Sequence, residues 1–173
     1  MNEELRRISS QFAIQQALAR YCRGVDRIDR ALLESAYWPD GYDDHVAFAG
    51  AAPEFIDWVL ELLSNDIATS HSLGQSLFAL EGRRAVVETY FQARSHRRAP
   101  GGEILSISSG RYVDQFEERE GEWRILNRKV LLDLRREIPL PPEQAPPPGP
   151  EPSWKGQQGL TDPSYQWPAL KAL

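Results

Sequence analysis

The chain has one cysteine, no excess of basic residues and no long apolar run. The single Cys22 excludes an internal disulfide framework and a cysteine-rich zinc module, and it suits a reducing cytoplasm. Twenty basic against twenty-five acidic side chains give a net charge of −5, which argues against a general nucleic-acid binder. No apolar run is long enough to span a bilayer, and residues 1–20 lack the core of a signal peptide. We therefore expect a cytoplasmic protein with neither a membrane nor a nucleic-acid partner.

Proline is scarce over most of the chain, because ten of the thirteen prolines lie between Pro139 and Pro168. A length of 173 residues corresponds to one domain plus a tail, and proline-rich sequence forms neither helix nor central strand. The sequence thus predicts a folded domain over residues 1–138 and a proline-rich arm over residues 139–173. We expect the arm to lie on the body or on a neighbouring subunit, with a loose tail as the alternative. Its candidate anchors are Trp154, Leu160, Tyr165, Trp167 and Leu170.

The first part of the domain has the patterns of three helices. An amphipathic segment covers about residues 2–23, and Gly24 is predicted to end it. Asp29 is expected to cap a short second helix, and Pro53 to begin a third. Between these two helices, residues 38–41 have the composition of a turn.

From residue 66 onward, apolar and polar residues alternate with the period of two that is typical of strands. Strands are predicted over residues 66–73, 75–80, 85–95, 104–116 and 123–134, joined by glycine-containing turns. Helices followed by a run of antiparallel strands indicate the α+β class. We expect a half-open cone in which a curved antiparallel sheet packs against the N-terminal helices.

Four residues in this pattern are candidates for chemistry, and for each a purely structural role is the alternative. His71 lies on the apolar face of a strand, where a carboxylate bound to its Nδ1–H would raise its basicity. Asp26 follows the first helix and, if turned inward, needs a cation or a histidine to offset its desolvation. Tyr21 lies on the apolar stripe of the helix, where a buried phenol needs a polar partner. Arg128 interrupts an aliphatic strand face, so it must pair with Glu88 or another inner acid, or bind an anion.

The segment Tyr42-Asp43-Asp44-His45 resembles half of a metal site, because Asp43 and His45 share a strand face and His71 is available as a further ligand. No second histidine or cysteine has a characteristic spacing, so no metal is predicted, and His45 is expected to line a pocket or to be structural. His96, beside a glycine-rich turn, is expected to be solvated. Phosphate-binding loops, nucleophile elbows and dinucleotide fingerprints are absent from the sequence.

Five segments of the chain together have the pattern of a known family, namely Arg23-Gly24-Val25-Asp26-Arg27, Tyr42-Asp43-Asp44-His45, Thr69-Ser70-His71, Gly110-Arg111-Tyr112-Val113-Asp114-Gln115-Phe116 and Trp123-Arg124-Ile125. Through them the chain resembles, over about residues 5–135, the SnoaL-like proteins of the nuclear transport factor 2 superfamily. The resemblance implies a cone whose sheet wraps a deep apolar pocket. One member, bile-acid 7α-dehydratase, uses a tyrosine, an aspartate five residues later, a strand histidine and a late arginine, which match Tyr21, Asp26, His71 and Arg128. Another, hexachlorocyclohexane dehydrochlorinase, has a lysine in place of Tyr21, and this difference favours loss of water.

The resemblance implies a cofactor-independent lyase that removes water by β-elimination. His71 with Asp26 would be the base, Tyr21 would donate a hydrogen bond or a proton, and Arg128 would stabilise negative charge. Isomerisation or dehydrochlorination by the same dyad is an alternative reaction, and a non-catalytic ligand-binding or structural subunit is the alternative class. The superfamily also implies an apolar alicyclic or steroid-like substrate and a homotrimer. The side chains expected to bind substrate are His45, Tyr42, Phe48, Trp58 and Tyr90.

Overall fold

A computed structural model describes residues 2–141 and 155–167. Its helices are α1 (Glu3–Arg27), α2 (Arg30–Glu34) and α3 (Ala52–Leu63). Its strands are β1 (Tyr37–His45), β2 (Phe48–Ala51), β3 (Asp66–Glu81), β4 (Arg84–Ala99), β5 (Gly102–Arg119) and β6 (Glu122–Leu140), and a 3₁₀ turn covers Pro163–Gln166. The predicted α+β class is therefore confirmed, with helices preceding the long strands.

Helix α1 begins at Glu3 and is capped by Asn2, whose side chain accepts a hydrogen bond from the backbone nitrogen of Leu5 at 2.8 Å. The predicted end at Gly24 is wrong, because the helix continues to Arg27 and closes at Ile28, which has a left-handed φ of 53°. Gly24 instead lies where α1 meets α2. A Cβ at this position would lie 2.8 Å from the backbone nitrogen of Leu33, so only glycine lets the two helices approach this closely.

The other two helices begin where the sequence predicts. Asp29 caps α2 by accepting a hydrogen bond from the backbone of Leu32 at 3.1 Å. Pro53 lies in the first turn of α3. A backbone N–H at this position has no acceptor within the helix, so proline, which lacks the N–H, loses no hydrogen bond there. Helix α3 buries Phe55 and Ile56 completely or nearly so. The helices thus place one apolar face each against the sheet.

The strands form one six-stranded, curved and unclosed sheet in the order β2-β1-β6-β5-β4-β3. Neighbouring strands are antiparallel except β1 and β6, which are parallel. The inner face of the sheet meets the helices in the core. The aromatic residues buried in this core are Tyr21, Tyr37, Phe55, Phe91, Tyr112, Phe116 and Trp123.

Two sequence-based boundaries differ from the structure for the same reason, an irregularity inside a strand. Residues 38–41 belong to β1, because Tyr37 pairs with Ile125 and Tyr42 already pairs with Asn127, so the segment between them bulges out of the ladder. Similarly, the two strands predicted within residues 66–80 are one strand, β3, with a register shift between Leu73 and Ser76.

Strand β6 runs to Leu140, two residues beyond the predicted domain boundary at residue 138. Pro139 pairs with Ile104 of β5, whereas β1 pairs with β6 only as far as Lys129. This end of β6 is therefore an edge, where proline is tolerated because no neighbour needs its missing N–H. The division of the chain into a domain and an arm stays a prediction.

The described part of the arm, residues 155–167, folds back onto the C-terminal end of α1. The backbone nitrogen of Gly159 donates to the carbonyl of Arg27 at 2.7 Å, and the hydroxyl of Tyr165 donates to Asp29 at 2.6 Å. Leu160 is 67% exposed. The predicted anchors Trp154 and Leu170 lie outside the described residues. Among the described helices, none is both long and apolar enough to cross a membrane.

Candidate active site

Asp26 and His71 form a largely buried pair between the last turn of α1 and strand β3. Oδ1 of Asp26 lies 2.7 Å from Nδ1 of His71, and Oδ2 accepts a hydrogen bond from the backbone nitrogen of His71 at 2.8 Å. Each side chain is 12% exposed. Helix α1 reaches this position only because it continues past Gly24, which brings Asp26 to the strand.

This contact determines which ring nitrogen can act as a base. An ionised carboxylate only accepts hydrogen bonds, so the proton of a neutral His71 ring resides on Nδ1. The lone pair of Nε2 is then available to accept a proton. The backbone hydrogen bond from His71 to the same carboxylate fixes the relative position of helix and strand.

Arg128 is completely buried and forms a two-pronged ion pair with Asp114. Nε and Nη2 each donate to one carboxylate oxygen at 2.7 Å. The partner is thus an inner acid of the neighbouring strand, and not Glu88, whose carboxylate lies 3.5 Å from Arg111. Burial opposes the charge of Arg128, but the carboxylate of Asp114 outweighs it and holds the pKa of Arg128 well above its ordinary value.

Tyr21 connects this ion pair to His71. The guanidinium carbon of Arg128 lies 4.1 Å from the centroid of the Tyr21 ring and 4.0 Å from that of the Tyr112 ring. The ring centroids of Tyr21 and His71 are 6.4 Å apart in an edge-on arrangement. Burial raises the pKa of Tyr21 well above its ordinary value, although the charge of Arg128 opposes this. The four candidates for catalysis are therefore brought into one contiguous group.

A second histidine–aspartate pair lies on the other side of Tyr21, on strand β1. Nδ1 of His45 is 3.3 Å from Oδ1 of Asp43, and the second oxygen of Asp43 accepts a hydrogen bond from Tyr37 at 2.6 Å. Asp43 is fully buried and lies beside Arg128 in the register of the parallel strands. The sequence placed Asp43 and His45 on one face, and they are indeed adjacent.

Three of the side chains expected to bind substrate form one aromatic cluster. The rings of Phe48 and Trp58 stack with centroids 5.4 Å apart, and the His45 ring lies 5.0 Å from the buried Phe55 ring. Phe55 joins the rings of β1, β2 and α3 into a continuous surface. A cavity lies next to His71, and none of these residues lines it.

Tyr42 and Tyr90 are not brought into this group, which corrects the expectation for both. Tyr42 is 45% exposed beside the buried Asp43, and Tyr90 is 41% exposed beside the buried Phe91. Side chains alternate between the two faces of a strand, so each tyrosine points to the outer face of the sheet.

A cavity of about 450 Å³ lies next to the dyad. Besides Asp26 and His71, it is lined by Ala19, Cys22, Arg23, Arg27 and Leu73. Sequence reasoning missed the two arginines as cavity residues. The available signal was helical spacing. Arg23 lies three residues before Asp26 and four residues before Arg27, so these side chains are neighbours on the helix surface.

The described residues contain no group of three or more histidine, cysteine, aspartate or glutamate side chains arranged to hold a metal ion. His45 and His71 belong to separate aspartate pairs. Cys22 lies beside the dyad, and burial raises the pKa of its thiol to about 12.

Several solved structures have the same fold as this chain. A hexachlorocyclohexane dehydrochlorinase from Novosphingobium barchaimii matches with a TM-score of 0.69 and 17% identity, over 81% of this chain and 100% of that chain. A scytalone dehydratase-like protein from Novosphingobium aromaticivorans matches with a TM-score of 0.68 and 16% identity, over 78% and 91%. A protein of the nuclear transport factor 2-like superfamily from Salmonella enterica matches with a TM-score of 0.62 and 16% identity, over 71% and 92%. The chain therefore shares the fold of these solved structures.

The chain belongs to the SnoaL-like domain family, whose model matches residues 6–129. This range contains Tyr21, Asp26, His71 and Arg128. No curated protein matches the chain significantly. At the identities found, the solved structures establish the fold, and the reaction has to be argued from the side chains of this chain.

Proposed function

We propose that the protein is a cofactor-independent lyase that removes water by β-elimination from an apolar hydroxy carbonyl compound. The observation that carries the proposal is the 2.7 Å contact between Asp26 and Nδ1 of His71. It leaves Nε2 as a base beside a cavity of about 450 Å³. A carbonyl group in the substrate acidifies the neighbouring C–H bond, so the proposed reaction requires neither a metal ion nor an organic cofactor.

The proposed reaction begins when Nε2 of His71 removes the proton from the carbon next to the carbonyl. The C–H electron pair forms an enolate, which then expels the β-hydroxyl group as the C–O bond breaks and a C=C bond forms. The imidazolium of His71 returns its proton to the leaving hydroxyl, which departs as water. Asp26 stabilises the imidazolium between these two proton transfers.

Tyr21 and Arg128 stabilise the negative charge of the enolate in this scheme. The raised pKa of Tyr21 keeps its hydroxyl protonated. Because Tyr21 is fully buried and does not line the cavity, its hydroxyl dipole acts on the enolate from behind His71 and not by contact with substrate. The side chain of Arg128 is fully buried, so its charge acts through the Tyr21 ring, 4.1 Å away, and not by contact with substrate. Arg128 is thus a positioning and electrostatic residue.

The proposed substrate is apolar and alicyclic or steroid-like. The cavity lining supports an apolar body, since Ala19, Cys22 and Leu73 contribute to it. Two solved structures of this fold are a dehydrochlorinase of hexachlorocyclohexane and a scytalone dehydratase-like protein, whose names describe eliminations. His45, Phe48 and Trp58 are proposed as further substrate contacts for a molecule that extends towards α3.

Isomerisation is the second candidate reaction, and the same dyad supports it. If the imidazolium returns the proton to a different carbon of the enolate, a double bond moves and no water is lost.

A homotrimer remains our proposal for the assembly. It is supported by apolar side chains on the outer face of the sheet, where Leu77 is 67% and Val86 is 48% exposed.

The test is mass spectrometry of cyclic β-hydroxy ketones incubated with the protein. Loss of one water supports the lyase, and a product of unchanged mass with a shifted double bond supports the isomerase. His71→Ala is expected to lower kcat by about 10²–10⁴. His96→Ala is the matched control, since His96 also pairs with an acid, Glu103 at 2.6 Å, but belongs to neither site. Full turnover by the His71→Ala variant would refute the proposed role of the dyad.

A further inference from the structure

The cavity beside the dyad contains two arginines for which the proposed elimination has no use. Arg23 and Arg27 lie four residues apart on α1, so both project from the side of the helix that carries Asp26. Apart from these arginines and the dyad, the wall consists of Ala19, Cys22 and Leu73. Both carboxylate oxygens of Asp26 are bonded to His71. The negative charge of Asp26 is therefore paired with His71, and two positive charges face this cavity.

The contacts of Arg23 do not neutralise its charge. Nη2 donates to the hydroxyl of Ser164 at 3.1 Å, and the guanidinium stacks on the ring of Tyr165, 4.5 Å from its centroid. Both of these groups are neutral. Nε of Arg23 is buried without a hydrogen-bond partner among the described residues. An unused donor of this kind costs free energy unless a ligand or a water accepts from it.

Arg27 is only weakly neutralised. Its Nη1 donates to two backbone carbonyls, those of Asp26 at 3.3 Å and Gln157 at 3.1 Å. Its nearest carboxylate, Asp162, is 3.8 Å away and accepts shorter hydrogen bonds from the backbone of Gln157 and Ser164. The arm therefore holds both guanidinium groups in place and supplies one carboxylate, Asp162, for two positive charges.

We propose that Arg23 and Arg27 form a subsite for an anionic group of the ligand, namely a carboxylate. A guanidinium group presents parallel N–H donors that match the two oxygens of a carboxylate. The ligand would then combine an apolar body, which meets Ala19 and Leu73, with a carboxylate at the arginines. This inference rests on the proposed function only in taking this ligand to be the substrate of His71.

Tyr165 is a positioning residue in this arrangement. Its hydroxyl donates to Asp29 at 2.6 Å while its ring supports the guanidinium of Arg23. The arm thereby fixes the direction of Arg23. Without the ring, Arg23 would lose its stacking partner and sample other rotamers, so carboxylate affinity is expected to fall in Tyr165→Ala and to be largely retained in Tyr165→Phe.

The test uses an unreactive pair of probes, adamantane-1-carboxylate and its neutral amide, titrated into the full chain by NMR with the His71 ring signals as reporters. The carboxylate is expected to bind about tenfold or more tightly than the amide, with affinity falling as salt rises. Arg23→Gln and Arg27→Gln are each expected to reduce this preference, and the double variant to abolish it. Arg98→Gln, which removes an exposed arginine of β4, is the charge-matched control and should retain it.

Equal binding of the two probes, failure of both to bind, or a preference that survives in the double variant would overturn the subsite. Because the probes cannot undergo elimination, these outcomes are independent of turnover. Carboxylate selectivity in a protein that dehydrates no hydroxy ketone would keep the subsite and refute the lyase. Dehydration of a hydroxy ketone by a protein that does not prefer the carboxylate probe would keep the lyase and refute the subsite.

Discussion

Asp26 holds His71 at two points, with one carboxylate oxygen on the ring and the other on the backbone. The two distances are 2.7 Å and 2.8 Å, across a separation of 45 residues in the chain. A single hydrogen bond would orient the ring only, whereas two fix the ring and the strand that carries it. The geometry of the dyad is therefore set by one helix–strand junction, and four predictions follow from this and related contacts.

Asp26→Asn is expected to lower kcat by about 10²–10⁴ with little change in KM. An amide can donate to Nδ1 and thereby favour the tautomer with its proton on Nε2, which cannot act as a base. Nitrogen-15 NMR of the ring should show this tautomer change. Asp57→Asn, an exposed acid on α3, is the control. A variant with an unchanged tautomer but lost activity would contradict the explanation.

Arg128→Met is expected to destabilise the protein by about 3–5 kcal/mol, because it leaves the carboxylate of Asp114 buried without a counter-charge. The double variant with Asp114→Leu should recover most of this loss, since no uncompensated charge remains. Urea unfolding measures both effects. Arg30→Gln, which breaks an exposed ion pair with Asp57, should cost about 1 kcal/mol or less. Equal instability of the single and double variants would show that the buried charge is not the cause.

Gly24→Ala is expected to destabilise the protein by about 1–3 kcal/mol, although alanine is the better helix former. The added Cβ would lie 2.8 Å from the backbone nitrogen of Leu33, and backbone cannot move aside as a flexible side chain can. Ser9→Ala tests helix propensity at an exposed position of the same helix and should change stability by about 0.5 kcal/mol or less. A higher melting temperature for Gly24→Ala would refute the close-packing role.

The docked arm is expected to respond to acid through Asp162. Burial opposes ionisation of this residue, but hydrogen bonds from Ser164 and Gln157 outweigh it and lower its pKa to about 2. Since the folded pKa lies below the ordinary 3.8, the contribution is complete above that value and is lost as pH falls towards 2. The amide signals of Gln157 and Ser164 should shift in this window.

Asp162→Asn provides the matched comparison for the acid response. It should remove the titration and increase hydrogen exchange in residues 157–165 at neutral pH, while the signals of β3 and β4 stay unchanged. If the amide signals of Gln157 and Ser164 instead shift near pH 4 in the unsubstituted chain, Asp162 is not held as the structure describes.

Local pattern predicted most of the fold because helices and strands depend on short-range periodicity. The cap at Asp29 and the period of two after residue 66 mark elements that the structure confirms. The errors occurred where tertiary contacts override local preference. Gly24 is a helix breaker by propensity, but close packing against Leu33 places it inside α1.

The residues of the site could be proposed one by one, but their partners could not. His71 was expected to need a carboxylate, and alternation placed it on the inner face. The choice of Asp114 over Glu88 for Arg128 follows from the register of β5 and β6, which the pattern of either strand alone leaves open. Tyr42 and Tyr90 were assigned by residue type and not by strand phase, so their outward direction was missed.

The sequence by itself determined the α+β class, the order of its elements, the proline-rich end and the resemblance that singled out Tyr21, Asp26, His71 and Arg128. Only the tertiary structure decided that α1 continues to Arg27, that the arm docks beside it, and that two arginines face the cavity next to the dyad. The physical reason is range. Periodicity acts over a few residues, whereas the contacts of this site join residues that strand register, helix packing and the returning arm bring together from distant parts of the chain.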